Sequence, residues 1–285
     1  MTTQRIDNAL EQARAQNRAA LVPYIAAGNP LPTSTVPLMH ALVAAGADVI
    51  ELGVPFSDPM ADGPIIQKAA EHAIAQGIGL PQVLDIVAQF RQQDKTTPVV
   101  LMGYANPVER MGQQAFVDKA ALAGVDGVLV VDYPPEEVEQ FGQMLEKAQI
   151  APIFLLAPTS TDARVAAVGK IARGYVYYVS LRGVTGAANI DTEDVARQVQ
   201  RIRKHVSIPV GVGFGISDAQ SAAKVGQVAD AVVIGSKLIS VMNQACEGLD
   251  PAQQTEAAVH AGHVWLAGIR QALEQADKSS AERMA

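Results

Sequence analysis

Glu51 and Asp62 are the side chains best placed by type and spacing to do chemistry. Glu51 closes a short apolar run (Asp48-Val49-Ile50-Glu51), where burial would raise a carboxyl pKa toward that of a working general acid or base. Asp62 follows eleven residues later in GVPFSDPMADGP, a stretch dense in Gly, Pro and Asp. Two carboxylates in unlike surroundings can hold different protonation states at one pH, the arrangement acid-base catalysis uses. Asp132, ending another apolar run, is a third candidate on the same grounds. The plainer readings stand beside these: Glu51 pairing with an arginine or capping a helix, and Asp62 as a solvated turn residue.

Other chemistries find fewer residues. A Schiff base needs a lysine at a strand end, and the nine lysines all fall in segments that read as helix or loop. A protein-bound metal needs several converging His or carboxylate ligands, whereas His40, His72, His205, His260 and His263 fall outside the strands. His260 and His263 stand three apart on one helix with no third ligand nearby in sequence, and read as ordinary helix residues. Cys246 is the single cysteine, so there is neither an intrachain disulfide nor a cysteine-rich zinc site. Three glycine-bearing stretches in the second half are a separate signal: Gly183-Val184-Thr185-Gly186, Gly213-Phe214-Gly215-Ile216-Ser217, and Gly235-Ser236 opening a helix. Backbone N–H groups exposed in this way suit a phosphate. Tight turns are the bland alternative.

The elements that must position these groups form a regular series. Eight apolar, β-branched runs occur at 21–25, 48–51, 98–102, 127–131, 152–155, 175–179, 208–212 and 231–234. Amphipathic helical segments lie between them. Short buried strands joined by helical crossovers imply a parallel sheet, and eight such units predict an α/β fold, a (β/α)8 TIM barrel. The rival doubly wound sheet lacks its fingerprint, because Ile216 stands where the last glycine of Gly-x-Gly-x-x-Gly belongs. No linker interrupts the series, so residues 1–285 are read as one barrel domain, with extra N-terminal (4–16) and C-terminal (251–275) helices and a polar tail (277–285) expected to fray. The gap of 50 residues between the starts of the second and third runs holds one helix more than a crossover needs, after the Asp62 loop. In a barrel such loops and the strand C-termini carry the active site, and the loops after strands seven and eight the phosphate.

Composition agrees with a folded chain. Hydrophobic residues make up 49% and charged residues 18% of 285, which excludes general disorder. The 22 basic residues are outnumbered by 29 acidic ones and form no run, which argues against nucleic acid as a partner. A start without the apolar block of a signal peptide, no stretch approaching the ~20 apolar residues of a membrane span, and the single cysteine together give a cytoplasmic expectation.

Residues 51–64, Glu-Leu-Gly-Val-Pro-Phe-Ser-Asp-Pro-Met-Ala-Asp-Gly-Pro, closely resemble the signature of the tryptophan synthase alpha subunit family. LVPYIAAGNP from Leu21, PVVLMGYANPV from Pro98, GVTGA from Gly183, GFGIS from Gly213 and IGSKL from Ile234 are similar to further family segments, so the resemblance spans the first strand to the eighth. It implies cleavage of indole-3-glycerol phosphate to indole and glyceraldehyde 3-phosphate, a retro-aldol without Schiff base or metal. By resemblance Glu51 protonates indole C3 and serves as base at the glycerol hydroxyl, and Asp62 faces the indole nitrogen. Tyr24, Leu101, Tyr177 and Thr185 line the substrate, Tyr24 being equally readable as a plain core aromatic. Gly186, Gly215, Gly235 and Ser236 hold the phosphate. The resemblance further implies no cofactor in this chain, a beta-subunit partner carrying pyridoxal phosphate in an alpha2beta2 heterotetramer, and contact and lid loops at 55–62 and 183–191. Arg182 departs from the small or uncharged residue of many relatives. A stand-alone indole-releasing lyase and a catalytically silent activator of the partner are the competing functions, and intact Glu51 and Asp62 argue against the second.

Overall fold

The computed structural model describes residues 4–134, 138–180, 191–213 and 215–276. Eight parallel strands close into a barrel in sequence order: β1 (Ala20–Ala26), β2 (Ile50–Gly53), β3 (Val99–Gly103), β4 (Gly127–Val130), β5 (Ala151–Leu156), β6 (Val176–Val179), β7 (Val210–Gly213) and β8 (Ala231–Ile234). Around them run α1 (Gln4–Ala15), α2 (Thr35–Ala44), α3 (Pro64–Ala75), α4 (Leu80–Phe90), α5 (Ala105–Met111), α6 (Gln113–Ala123), α7 (Glu139–Lys147), α8 (Asp162–Ile171), α9 (Thr192–Arg203), α10 (Ala219–Gly226), α11 (Ser236–Ala245) and α12 (Pro251–Gln275). The expected eight-stranded barrel and both terminal helices are present, as is the extra helix after β2. A second extra helix, α5, follows β3. Its Pro107 sits in the first turn, where a missing N–H costs nothing, and Gly112 at φ +87° turns the chain into α6. Among the described residues no helix is long and apolar enough to cross a membrane.

Strand alternation divides the core in two. Val22, Val49, Val100, Leu129, Ile153, Tyr175 and Val233 fill the barrel, whose lower end is plugged by Ile6 and Leu10 of α1. Residues of opposite parity, such as Leu21, Ile50, Leu52, Val99 and Leu101, pack outward beneath the helices.

Three aspartates brace the N-terminal ends of the strands in one repeated way. Asp48, Asp126 and Asp230 each donate their backbone N–H to the carbonyl of Leu21, Val99 or Val210 on the preceding strand. Each carboxylate accepts the N–H of that same residue, at 2.7, 2.8 and 2.9 Å. Arginines complete the charge: Arg18 grips Asp48 with two bonds of 2.8 and 2.9 Å, Arg91 reaches Asp126 at 2.6 Å, and Arg203 reaches Asp230 at 3.0 Å. These pairs fix strand register at the end of the barrel opposite the mouth, leaving the C-terminal ends free to vary.

Candidate active site

Glu51 is not the last residue of its strand. The ladder continues through Leu52 and Gly53, which pair with β3, so Glu51 lies one step inside the mouth with its side chain on the inner face. There it is 1% exposed, and among the described residues neither carboxyl oxygen has a hydrogen-bond partner. The arginine-pair and helix-cap readings are therefore set aside. Burial and, second, the nearby Asp62 charge push its pKa up to about 8, only partly opposed by the Tyr175 hydroxyl. That hydroxyl is also buried and, among the described residues, forms no hydrogen bond of normal geometry. Glu51 thus keeps its proton at neutral pH, the state a general acid requires.

Tyrosines surround the carboxyl. Tyr24 of β1 stands in register with Glu51 and is 7% exposed; Tyr177 of β6 packs on the inner cluster. Burial first, and then the charges of Glu51 and Asp62, raise the pKa of both phenols, so they remain neutral. Two strand-end glycines make room for them. A Cβ on Gly53 would lie 2.2 Å from the Tyr24 hydroxyl, and one on Gly213 2.3 Å from that of Tyr177. Gly53→Ala must therefore displace the Tyr24 ring. The expected cost is about 1–3 kcal/mol, read as a lower denaturant midpoint with an unchanged slope.

Asp62 reaches the same space from the loop after β2. Its Oδ2 accepts a hydrogen bond from the Tyr104 hydroxyl at 3.0 Å, and Gln67 Nε2 donates to its backbone carbonyl at 2.8 Å. Burial raises its pKa, and the Tyr104 bond holds it back. Tyr104, at the C-terminal end of β3, was not singled out from sequence; it stands in the PVVLMGYANPV segment, and its position just past a strand end was the available signal.

Two expected positions are corrected. Leu101 is 2% exposed in the outer layer, in register with the outward-facing Leu52, and so cannot line the mouth. Its neighbour Met102 turns inward and packs on the inner cluster. Asp132 accepts the Ala105 N–H at 2.7 Å and so serves the start of α5 rather than the barrel interior. Thr185 and Gly186, with Arg182 and most of the 183–191 stretch, lie outside the described residues, as does the 277–285 tail.

Beside Tyr24 lies the start of a helix. Gly235 is the N-cap of α11 and Ser236 its first residue, with no side chain capping them. It shares that lack with α2, α3, α5, α6, α7 and α12, whereas α8, α9 and α10 are capped by Thr161, Asp191 and Asp218. The free N–H groups of α11 open where β8 ends, and an anion there gains from both the donors and the helix dipole. Gly235 abuts the aromatic wall, since a Cβ there would lie 3.1 Å from Tyr24 Cδ1. Gly215 has φ +75°, a backbone that only glycine adopts freely. Among the described residues no group of three His, Cys, Asp or Glu side chains is placed to hold a metal ion.

A parallel barrel with a buried glutamate inside its mouth, a second carboxylate on the adjoining loop and a helix start alongside has the make-up of a βα-barrel enzyme. Residues 10–265 match the family model described as tryptophan synthase alpha chain. The tryptophan synthase alpha chain of Bordetella bronchiseptica is 64% identical over 281 residues, covering 98% of this chain and 99% of the relative. That of Cupriavidus pinatubonensis is 60% identical over 270 residues, covering 95% and 99%. Among solved structures, the alpha subunit from Legionella pneumophila superposes with a TM-score of 0.88 at 41% identity, covering 96% of this chain and 99% of that one. A chain of the aminoacrylate-bound tryptophan synthase from M. tuberculosis gives 0.82 at 33%, covering 94% and 99%. The chain belongs to the tryptophan synthase alpha chain family. It is a lyase of tryptophan biosynthesis that cleaves indole-3-glycerol phosphate, and as an alpha chain it works in complex with a beta subunit.

Proposed function

We propose that Glu51 and Asp62 carry out this cleavage as acid-base partners. The observation that carries the reading is the Glu51 carboxyl itself: buried, without a hydrogen-bond partner among the described residues, and pushed by that burial to a pKa of about 8. Glu51 gives its proton to indole C3, which turns the ring into a leaving group and places positive charge on its N–H. The Asp62 carboxylate faces that N–H and stabilises the charge. The Glu51 carboxylate then takes the proton of the glycerol C3′ hydroxyl. The C–O bond becomes a carbonyl, the C3–C3′ bond breaks, and its electron pair restores the indole. Glu51 ends protonated as it began, so one residue closes the proton cycle.

Tyr24 and Tyr177 flank the ring. Gly215, Gly235 and Ser236, with Gly186, bind the phosphate largely through backbone N–H groups, and Thr185 completes the substrate wall. Met102 takes the inward place first given to Leu101. No cofactor is assigned to this chain; pyridoxal phosphate belongs to the partner beta subunit, in an alpha2beta2 assembly in the cytoplasm. Closure of the loops at 55–62 and 183–191 on partner binding excludes water and completes the site.

The direct test is indole formation from indole-3-glycerol phosphate by the isolated chain, repeated with a beta subunit added. Slow release that rises on addition is the expected result, and equal turnover in both would overturn the coupling. The same assay across pH should give a bell for kcat/KM. It falls above about pH 8 as Glu51 loses its proton, and on the acid side as Asp62 gains one. The two interacting carboxyls titrate as a pair. A flat profile through pH 8 would remove Glu51 as the acid.

A further inference from the structure

The segment between β2 and α3 contains no regular secondary structure and points Met60, 83% exposed, into solvent. Yet it must hold the Asp62 carboxylate steady at the mouth. Among the described residues, the Tyr104 hydroxyl is the one hydrogen-bond partner of that carboxylate. It donates to Oδ2 at 3.0 Å and accepts the Ala61 N–H at 3.1 Å, so it clasps two consecutive residues of the segment. Tyr104 is itself firmly placed. It is 4% exposed, its ring lies 5.3 Å from that of Phe56, and the next residue, Ala105, is anchored to Asp132.

We infer that Tyr104 is a positioning residue for the reaction, tying the loop after β2 to the end of β3 so that the Asp62 carboxylate stays aimed at the ring. This rests on the reading of Asp62 given above and adds to it a residue outside the acid-base pair. The groups that bear on the Tyr104–Asp62 contact are Glu51 on β2, Tyr24 on β1, Tyr177 on β6 and Asp132 after β4. None of them is removed by replacing the hydroxyl. Tyr104→Phe keeps the ring and its packing while deleting both hydrogen bonds.

The experiment is a cycle of Tyr104→Phe, Asp62→Asn and the double variant, assayed for indole release across pH in the complex with the beta subunit. Tyr104→Phe is expected to lower kcat/KM about ten- to a hundredfold, the worth of a hydrogen bond to a charged group. It should also move the acid limb of the profile to higher pH, because the ionised carboxylate has lost a donor. In the Asp62→Asn background the same change should cost almost nothing. An equal loss in both backgrounds, or a limb that does not move, overturns the inference. If Asp62→Asn costs rate but Tyr104→Phe does not, only this inference falls. If Asp62→Asn leaves the rate intact, the reading of Asp62 falls first and takes this one with it.

Discussion

Glu51→Gln is expected to cut kcat for indole release by about 10³- to 10⁴-fold while leaving KM within about twofold. Glutamine keeps the shape and the burial but has no proton to give to C3 and cannot take one from the C3′ hydroxyl, so both halves of the cycle stop. Substrate binding is spared because the anchoring falls to the phosphate loops and the aromatic wall. Glu51→Asp separates chemistry from reach. It restores a titratable group withdrawn by one methylene, and a displacement near 1 Å costs on the order of 10²-fold. The order wild type, Asp, Gln in single-turnover rates is the expected result. Indole release by Glu51→Gln at the wild-type rate would exclude the mechanism.

The barrel and the placing of both carboxylates were readable from the chain because strand ends are marked by local composition. The apolar run ending near Glu51 and the Gly-Pro-Asp loop after it announce a carboxylate in a barrel mouth. Leu101, placed at the substrate by resemblance, shows what local composition could not check. Val99-Val100-Leu101-Met102 is apolar throughout, since a parallel strand is buried on both faces, so it carries no alternation to say which side chains point inward. The parity is set by the pairing of Glu51 with Val100, a register that only the folded sheet supplies. The position of Glu51 within β2 has the same origin. Gly53 looks like a turn residue but stays in the ladder between Ala26 and Met102.

Tyr104 was hidden for a different reason. Its link to Asp62 spans 42 positions, and its place just past the end of β3 was the one local mark that set it apart from a core aromatic. The aspartate clamps were legible in principle. GADVI, GVDGV and VADAV place Asp48, Asp126 and Asp230 one or two residues before a strand, but each taken alone reads as no more than the polar start of an apolar run. The helix α5 was obscured by Pro107, which breaks a helix interior and is harmless in a first turn.

The feature that makes Glu51 a good acid should also make it a burden on the fold, and Glu51→Gln is expected to show this as a pH-dependent gain in stability. The folded pKa of about 8 lies above the 4.5 of an unperturbed glutamate. Below about pH 4.5 both states hold the proton and no penalty exists. Between the two values the native chain binds a proton that the unfolded chain releases, so stability falls as pH rises, and the loss levels off above pH 8. At 1.36 kcal/mol for each pH interval crossed, the full penalty is on the order of 5 kcal/mol, about 3 of it present at pH 7. Glutamine carries no such linkage. Its buried amide has a desolvation cost of its own, which does not change with pH, so the slope of the difference is diagnostic and its offset is not. Denaturant unfolding of both proteins from pH 5 to 9 should show the variant gaining on wild type up to pH 8 and holding constant beyond. Parallel curves over that range would mean that Glu51 is ionised in the folded protein at neutral pH, leaving C3 without its proton donor.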